Sequence, residues 1–130
     1  MNTQSVFVYG TLRRGGSNHF RMEASDFLGS GEISGRMWKI DWYPILICGG
    51  DTTVRGELYR VSEDSLESLD EFEGINPDSD KPREYRRVKI SVTMDSGGQR
   101  EAWVWEWAGT TALAEPLDGD DWLAFEPTPR

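Results

Sequence analysis

"VRGELYRVSEDSLESLDEFEG", residues 54–74, changes periodicity part-way along. In its first half Val54, Gly56 and Leu58 occupy even positions, apolar or small, while Arg55 and Glu57 face the other way, which is the alternation of a strand. Ser62 then offers an N-cap oxygen, and Glu63 and Asp64 fill a first turn where the helix dipole favours acids. Gly74 supplies a C′ residue. The stretch predicts a strand over 53–61 that feeds a helix over 63–73, and with it an α+β class.

The helix carries an acid where apolar residues belong. With Leu66 at the origin and about 100° per residue, Leu69 falls at about −60°, Phe72 at about −120° and Glu73 at about −20°. Glu73 therefore lies inside the apolar arc and Asp70, at about +40°, at its edge, whereas Glu67, Ser68 and Glu71 fall outside it. Burial raises a carboxyl pKa towards neutrality, which suits a proton-transfer group. A residue in the last turn can equally swing to solvent or pair with Arg86 or Arg87, and periodicity leaves both open.

Downstream, residues 74–83 are polar and rich in Pro and Asp, an exposed loop. Residues 85–94 alternate, with Val88, Ile90, Val92 and Met94 on one face. A turn at 95–98 leads to residues 101–108, completing a β-hairpin. There Trp103, Trp105 and Trp107 share one face and Ala102, Val104 and Glu106 the other. The tryptophan face reads as a packed layer, or in part as a surface for a partner. The acidic tail holds Trp122, Leu123 and Phe125 as its packing residues.

Upstream, Val6, Phe7, Val8 and Tyr9 form a β-rich run that stops at Gly10. Residues 11–18 read as a loop and 18–26 allow two helical turns. Residues 27–40, with Gly29, Gly31 and Gly35, suit a bent or bulged strand. Tyr43 and Pro44 interrupt the chain before a short strand at 45–48, which Gly49 and Gly50 turn. About six strands, several of them glycine-kinked, with one good helix, make an α+β domain on a curved or closed sheet.

The loop after the first strand is the second candidate site. Consecutive backbone N–H groups after a strand-ending glycine can form an anion-binding nest, to which Arg13 and Arg14 would add positive potential. "GTLRRGG" matches neither a P-loop nor a GxGxxG fingerprint, so a plain connection is the competing reading. His19, just beyond, reads as a hydrogen-bonded structural residue, and Cys48 as a small buried hydrophobe.

Composition narrows the classes. The chain of 130 residues fits a single domain, residues 1–130. No segment approaches the roughly 20 apolar residues of a membrane helix, and the N-terminus lacks the layout of a secretion signal, so a cytoplasmic protein is expected. One cysteine and one histidine give no zinc-ligand cluster, and no cofactor motif is found. A net charge of −9 disfavours nucleic acid.

Five motifs in order, "VFVYGTLRRGGSNH" (6–19), "YP" (43–44), "VRGELYRV" (54–61), "LDEFEG" (69–74) and "YRR" (85–87), resemble the γ-glutamylcyclotransferase-like superfamily, most nearly its γ-glutamylamine cyclotransferase and AIG2-like branch. The resemblance implies a compact mixed β-barrel with flanking short helices, and an intramolecular aminolysis that releases 5-oxoproline from a small-molecule γ-glutamyl substrate. It also implies that Glu73 is the general acid/base and that Tyr9, Gly10, Thr11 and Leu12 hold the substrate's α-carboxylate through backbone N–H groups. Tyr43 and Tyr85 match aromatic positions near the family's pocket. The alternative is a non-catalytic module that holds a small carboxylate or aminoacyl group in the same pocket.

Overall fold

The computed structural model describes residues 3–10, 12–14, 19–22, 25–40, 43–72, 85–107 and 115–116. The strands are β1 (Thr3–Val8), β2 (Asp26–Ile40), β3 (Tyr43–Ser62), β4 (Tyr85–Met94), β5 (Gln99–Trp107) and β6 (Glu115–Pro116). One helix, α1 (Glu63–Phe72), follows β3, and a 3-10 turn spans His19–Met22. Each of β1 to β5 pairs with two of the others, in the ring β3, β1, β5, β4, β2 and back to β3, while β6 adds to β2 outside the ring. The result is a closed five-stranded mixed barrel. All its ring pairings are antiparallel except β1 with β5, where Val6 lies beside Trp103.

Closure divides the apolar residues into two layers. Phe7, Tyr9, Val54, Leu58, Val92, Ala102 and Val104 fill the interior with Ile33, Met37 and Leu46. Val6, Val8, Tyr59, Val61 and Trp105 point outward, and there Leu66 and Leu69 of α1 cover them together with Leu12 and Met22. Both faces of β1 and β5 are therefore packed. Each such buried side chain contributes roughly 1.5–3 kcal/mol relative to exposure. The backbone of β1 approaches β3 closely at Gly56, where a Cβ would overlap the Val8 carbonyl and come 2.5 Å from the Phe7 ring.

The long strands differ from the sequence expectation. Tyr43 and Pro44 do not interrupt the chain; they begin β3, facing Ile40 and Lys39 across the ladder. The two strands expected at 45–48 and 53–61 are one, because residues 49–52 form an excursion from a continuous strand: Ser34 faces Thr53 and the next residue, Gly35, faces Cys48. Gly49 and Gly50 make this possible with φ of 92° and 91°, a region that L side chains rarely adopt. The Thr52 hydroxyl donates to the Gly35 carbonyl at 2.6 Å and fastens the excursion.

Helix α1 begins as its sequence predicts. Ser62 Oγ accepts the Ser65 backbone N–H at 3.1 Å. Of the two turns allowed at 18–26, the single 3-10 turn is what forms within the described residues. Glu73, Gly74, the loop at 74–83 and the tail's Trp122, Leu123 and Phe125 lie outside them.

Candidate functional site

Three segments gather at the C-terminal end of β5. The chain leaves β1 there: Tyr9 is buried, and its hydroxyl donates to the Trp105 carbonyl at 2.8 Å. The chain enters β4 there as well, with half-buried Tyr85 paired in register with Trp107 and its ring edge-on to that indole, centroids 5.2 Å apart. The last turn of α1 is the third, since Asp70 Oδ1 accepts the Trp105 indole N–H at 2.9 Å. Tyr9 and Tyr85 are thus brought to neighbouring positions on one strand. Thr11 and Glu73 lie outside the described residues, as does the side chain of Tyr43.

The connection after β1 is folded on itself. Gly10 is buried, and its carbonyl accepts the Arg13 N–H at 3.0 Å. Leu12 is buried in the outer apolar layer. Its carbonyl lies 2.9 Å from His19 Nδ1, and because a carbonyl can only accept, that nitrogen carries the hydrogen. His19 is therefore a structural partner of the loop, as its lone position suggested.

Each of the two arginines has a partner on the barrel. Arg13 is buried, and its Nε donates to Glu57 Oε2 at 3.2 Å. Its charge offsets that of a carboxylate that is itself only 5% exposed. The Arg14 guanidinium stacks over the Phe27 ring at 4.8 Å, while its backbone N–H donates to Glu57 Oε1 at 2.9 Å. The Tyr59 hydroxyl donates to the same oxygen at 2.9 Å. Burial, and next the adjacent Glu57 carboxylate, push the Tyr59 phenol well above its ordinary pKa.

A second buried acid sits at the same end of β5, pointing to the interior face. Glu106 Oε2 accepts the Cys48 N–H at 2.7 Å, and its Oε1 accepts Arg86 Nε at 2.9 Å. Burial opposes its ionisation, but the Cys48 N–H and the Arg86 guanidinium outweigh that and hold its pKa below the ordinary value. Cys48 is half-buried rather than fully buried. Burial, followed by the nearby Glu106 charge, pushes its thiol up to about 12.

Sequence reasoning missed Glu57 and Glu106 as buried groups. The signal was present in both strands: Glu57 shares its outward face with Tyr59 and Val61, and Glu106 its inward face with Ala102 and Val104. An acid in register with buried apolar residues is either costly or paired, and both are paired.

The family model "Gamma-glutamyl cyclotransferase, AIG2-like" matches residues 6–124. A Vibrio cholerae protein, provisionally named a gamma-glutamylcyclotransferase, is 37% identical over 119 residues, covering 90% of this chain and 93% of its own. The gamma-glutamylaminecyclotransferase of Bos taurus is 33% identical over 124 residues, covering 85% of this chain and 67% of its own. A crystal structure of an AIG2-like protein from Mus musculus superimposes with a TM-score of 0.75 at 27% identity, covering 100% of this chain and 98% of that one. By sequence and by barrel, this chain belongs to the AIG2-like gamma-glutamyl cyclotransferase family and is a cyclotransferase by class.

Proposed function

We propose that the protein cyclises the γ-glutamyl group of a γ-glutamyl amine, releasing 5-oxoproline and the free amine, with Glu73 as general acid/base. The observation that carries the reading is the meeting of the β1 exit turn, Tyr85 and the last turn of α1 at one end of β5, in a chain of the cyclotransferase family. Glu73 follows Asp70 by three residues in the sequence, and Asp70 is the helix residue tied to Trp105.

In the proposed reaction the substrate's α-ammonium gives a proton to the Glu73 carboxylate. The freed amine attacks the γ-carbonyl carbon, forming the ring C–N bond. As the bond to the leaving nitrogen breaks, Glu73 returns its proton to that nitrogen. The ring nitrogen keeps one hydrogen and yields another, and the amine departs as an ammonium ion. Nucleophile and electrophile belong to one molecule, so fixing its conformation supplies much of the rate. Backbone N–H groups of Tyr9, Gly10, Thr11 and Leu12 would do this by holding the α-carboxylate, with Tyr43 and Tyr85 beside the substrate. No helix among the described residues is long and apolar enough to cross a membrane; we place the activity in the cytoplasm.

The test is incubation with a panel of γ-glutamyl amines and dipeptides while 5-oxoproline is measured. Product from at least one substrate, falling about 10²- to 10⁴-fold in Glu73→Gln, is the expected result. Absence of product from every substrate, or equal product from the variant, overturns the reading in favour of a binding module.

A further inference from the structure

We propose that Glu57 is a positioning residue of the substrate loop: its buried carboxylate holds Arg13 and Arg14, and through the Arg13 N–H the Gly10 carbonyl, where the loop binds the γ-glutamyl α-carboxylate. The inference rests on the loop role proposed above and adds the group that enforces it.

Glu57 stands opposite Val8, the last residue of β1, so its side chain projects outward just where the chain turns away from the barrel. Its two oxygens take three donors. Oε1 receives the Arg14 backbone N–H and the Tyr59 hydroxyl, and Oε2 receives Arg13 Nε. One carboxylate thus grips two successive loop residues, the first by side chain and the second by backbone. Two further ties act within the loop and its neighbour: Arg13 N–H to the Gly10 carbonyl, and His19 to the Leu12 carbonyl. The Glu57 contacts bind this turn by hydrogen bonds to the wall of β3. A charged acceptor with three donors is stronger and more directional than neutral bonds, and a buried carboxylate without its donors is costly. Folding therefore favours the loop geometry that satisfies Glu57.

The arrangement also accounts for Arg13 beside a loop assigned to an anion: its charge is matched in place by Glu57.

The experiment uses Glu57→Gln in the full chain. A glutamine oxygen can still accept from Arg14 and Tyr59, but its amide would present a donor to the Arg13 Nε donor. Two readouts separate the claims. Limited trypsin digestion reports the loop directly, since Arg13 is buried and the bond after it is guarded while its side chain stays on Glu57. Steady-state kinetics report its use. We expect new cleavage after Arg13, a KM raised about tenfold or more, and kcat within about threefold of wild type. Unchanged cleavage together with unchanged KM overturns the proposal. New cleavage with unchanged KM also overturns it, because the turn is then held by Glu57 without serving the substrate. If wild type itself yields no 5-oxoproline, the loop's assigned role fails, and the trypsin result still decides whether Glu57 holds the turn. Should Glu57→Gln not fold, Tyr59→Phe removes one donor without changing the charge, and a KM increase of about two- to fivefold is expected; no increase overturns the proposal.

Discussion

The Trp105 indole N–H and the Asp70 carboxylate, 2.9 Å apart, join the barrel wall to the last turn of the only helix among the described residues. Asp70 also lies 3.5 Å from Arg87 Nε, while Arg87 Nη1 is buried with no hydrogen-bond partner among the described residues. Asp70→Ala would leave both the indole and the guanidinium short of an acceptor. It should lower stability by about 1–3 kcal/mol, read as the shift in urea midpoint at constant m-value. Asp70→Asn, which keeps an acceptor for the indole, should cost less.

Gly56→Ala should destabilise the fold by about 1–3 kcal/mol or more. Its Cβ would meet the Val8 carbonyl and the Phe7 ring, neither of which is the free end of a flexible side chain. A thermal denaturation curve superimposable on wild type would contradict the close approach of β1 and β3.

Cys48 should react slowly with iodoacetamide. With a thiol pKa of about 12 against an ordinary 9.0, its thiolate at pH 8 is scarcer by about 10²- to 10³-fold, and the alkylation rate should fall in proportion. Glu106→Gln removes the neighbouring negative charge and should speed the reaction. Mass-spectrometric labelling over time measures both.

Glu106 links stability to acid. Its folded pKa is depressed, so its contribution is fully present above the ordinary carboxyl value of 4.5 and is lost as pH falls through the lower folded value. The Tm difference between wild type and Glu106→Gln should therefore be constant from pH 7 to about 5.5 and shrink below 4.5. A difference that grows on acidification would mean that the carboxyl is held protonated instead.

Much of the fold could be read locally. The hairpin of β4 and β5, the run of β1 and the capped start of α1 follow from alternation, turn glycines and a serine N-cap, all short-range signals. What escaped was long-range. Nothing local shows that residues 49–52 leave a strand that then resumes, because two adjacent glycines look like a turn whether the register jumps or the chain reverses. Barrel closure gave the polar positions a meaning the alternation alone did not carry: Glu57 reads only as facing away from Val54 and Leu58, and Glu106 only as sharing the face of Ala102 and Val104, yet both are buried. Asp70 was rightly placed at the edge of the helix's apolar arc, and the indole that accounts for it comes from a strand thirty-five residues away in sequence. In the candidate site, Tyr9 and Tyr85 meet β5 as neighbours, whereas the use of Arg13 as a counter-ion could not be seen without its partner.

The parallel pairing of Val6 with Trp103 sets an order of events during synthesis. β1 leaves the ribosome before both of its ring neighbours, β3 and β5, and β5 emerges almost a hundred residues later. Until then β1 has one uncovered edge, a template for strands of other chains. Contacts of such long sequence separation also slow closure. Nascent chains stalled before residue 99 should accordingly bind chaperones or aggregate, and release past residue 107 should end that exposure.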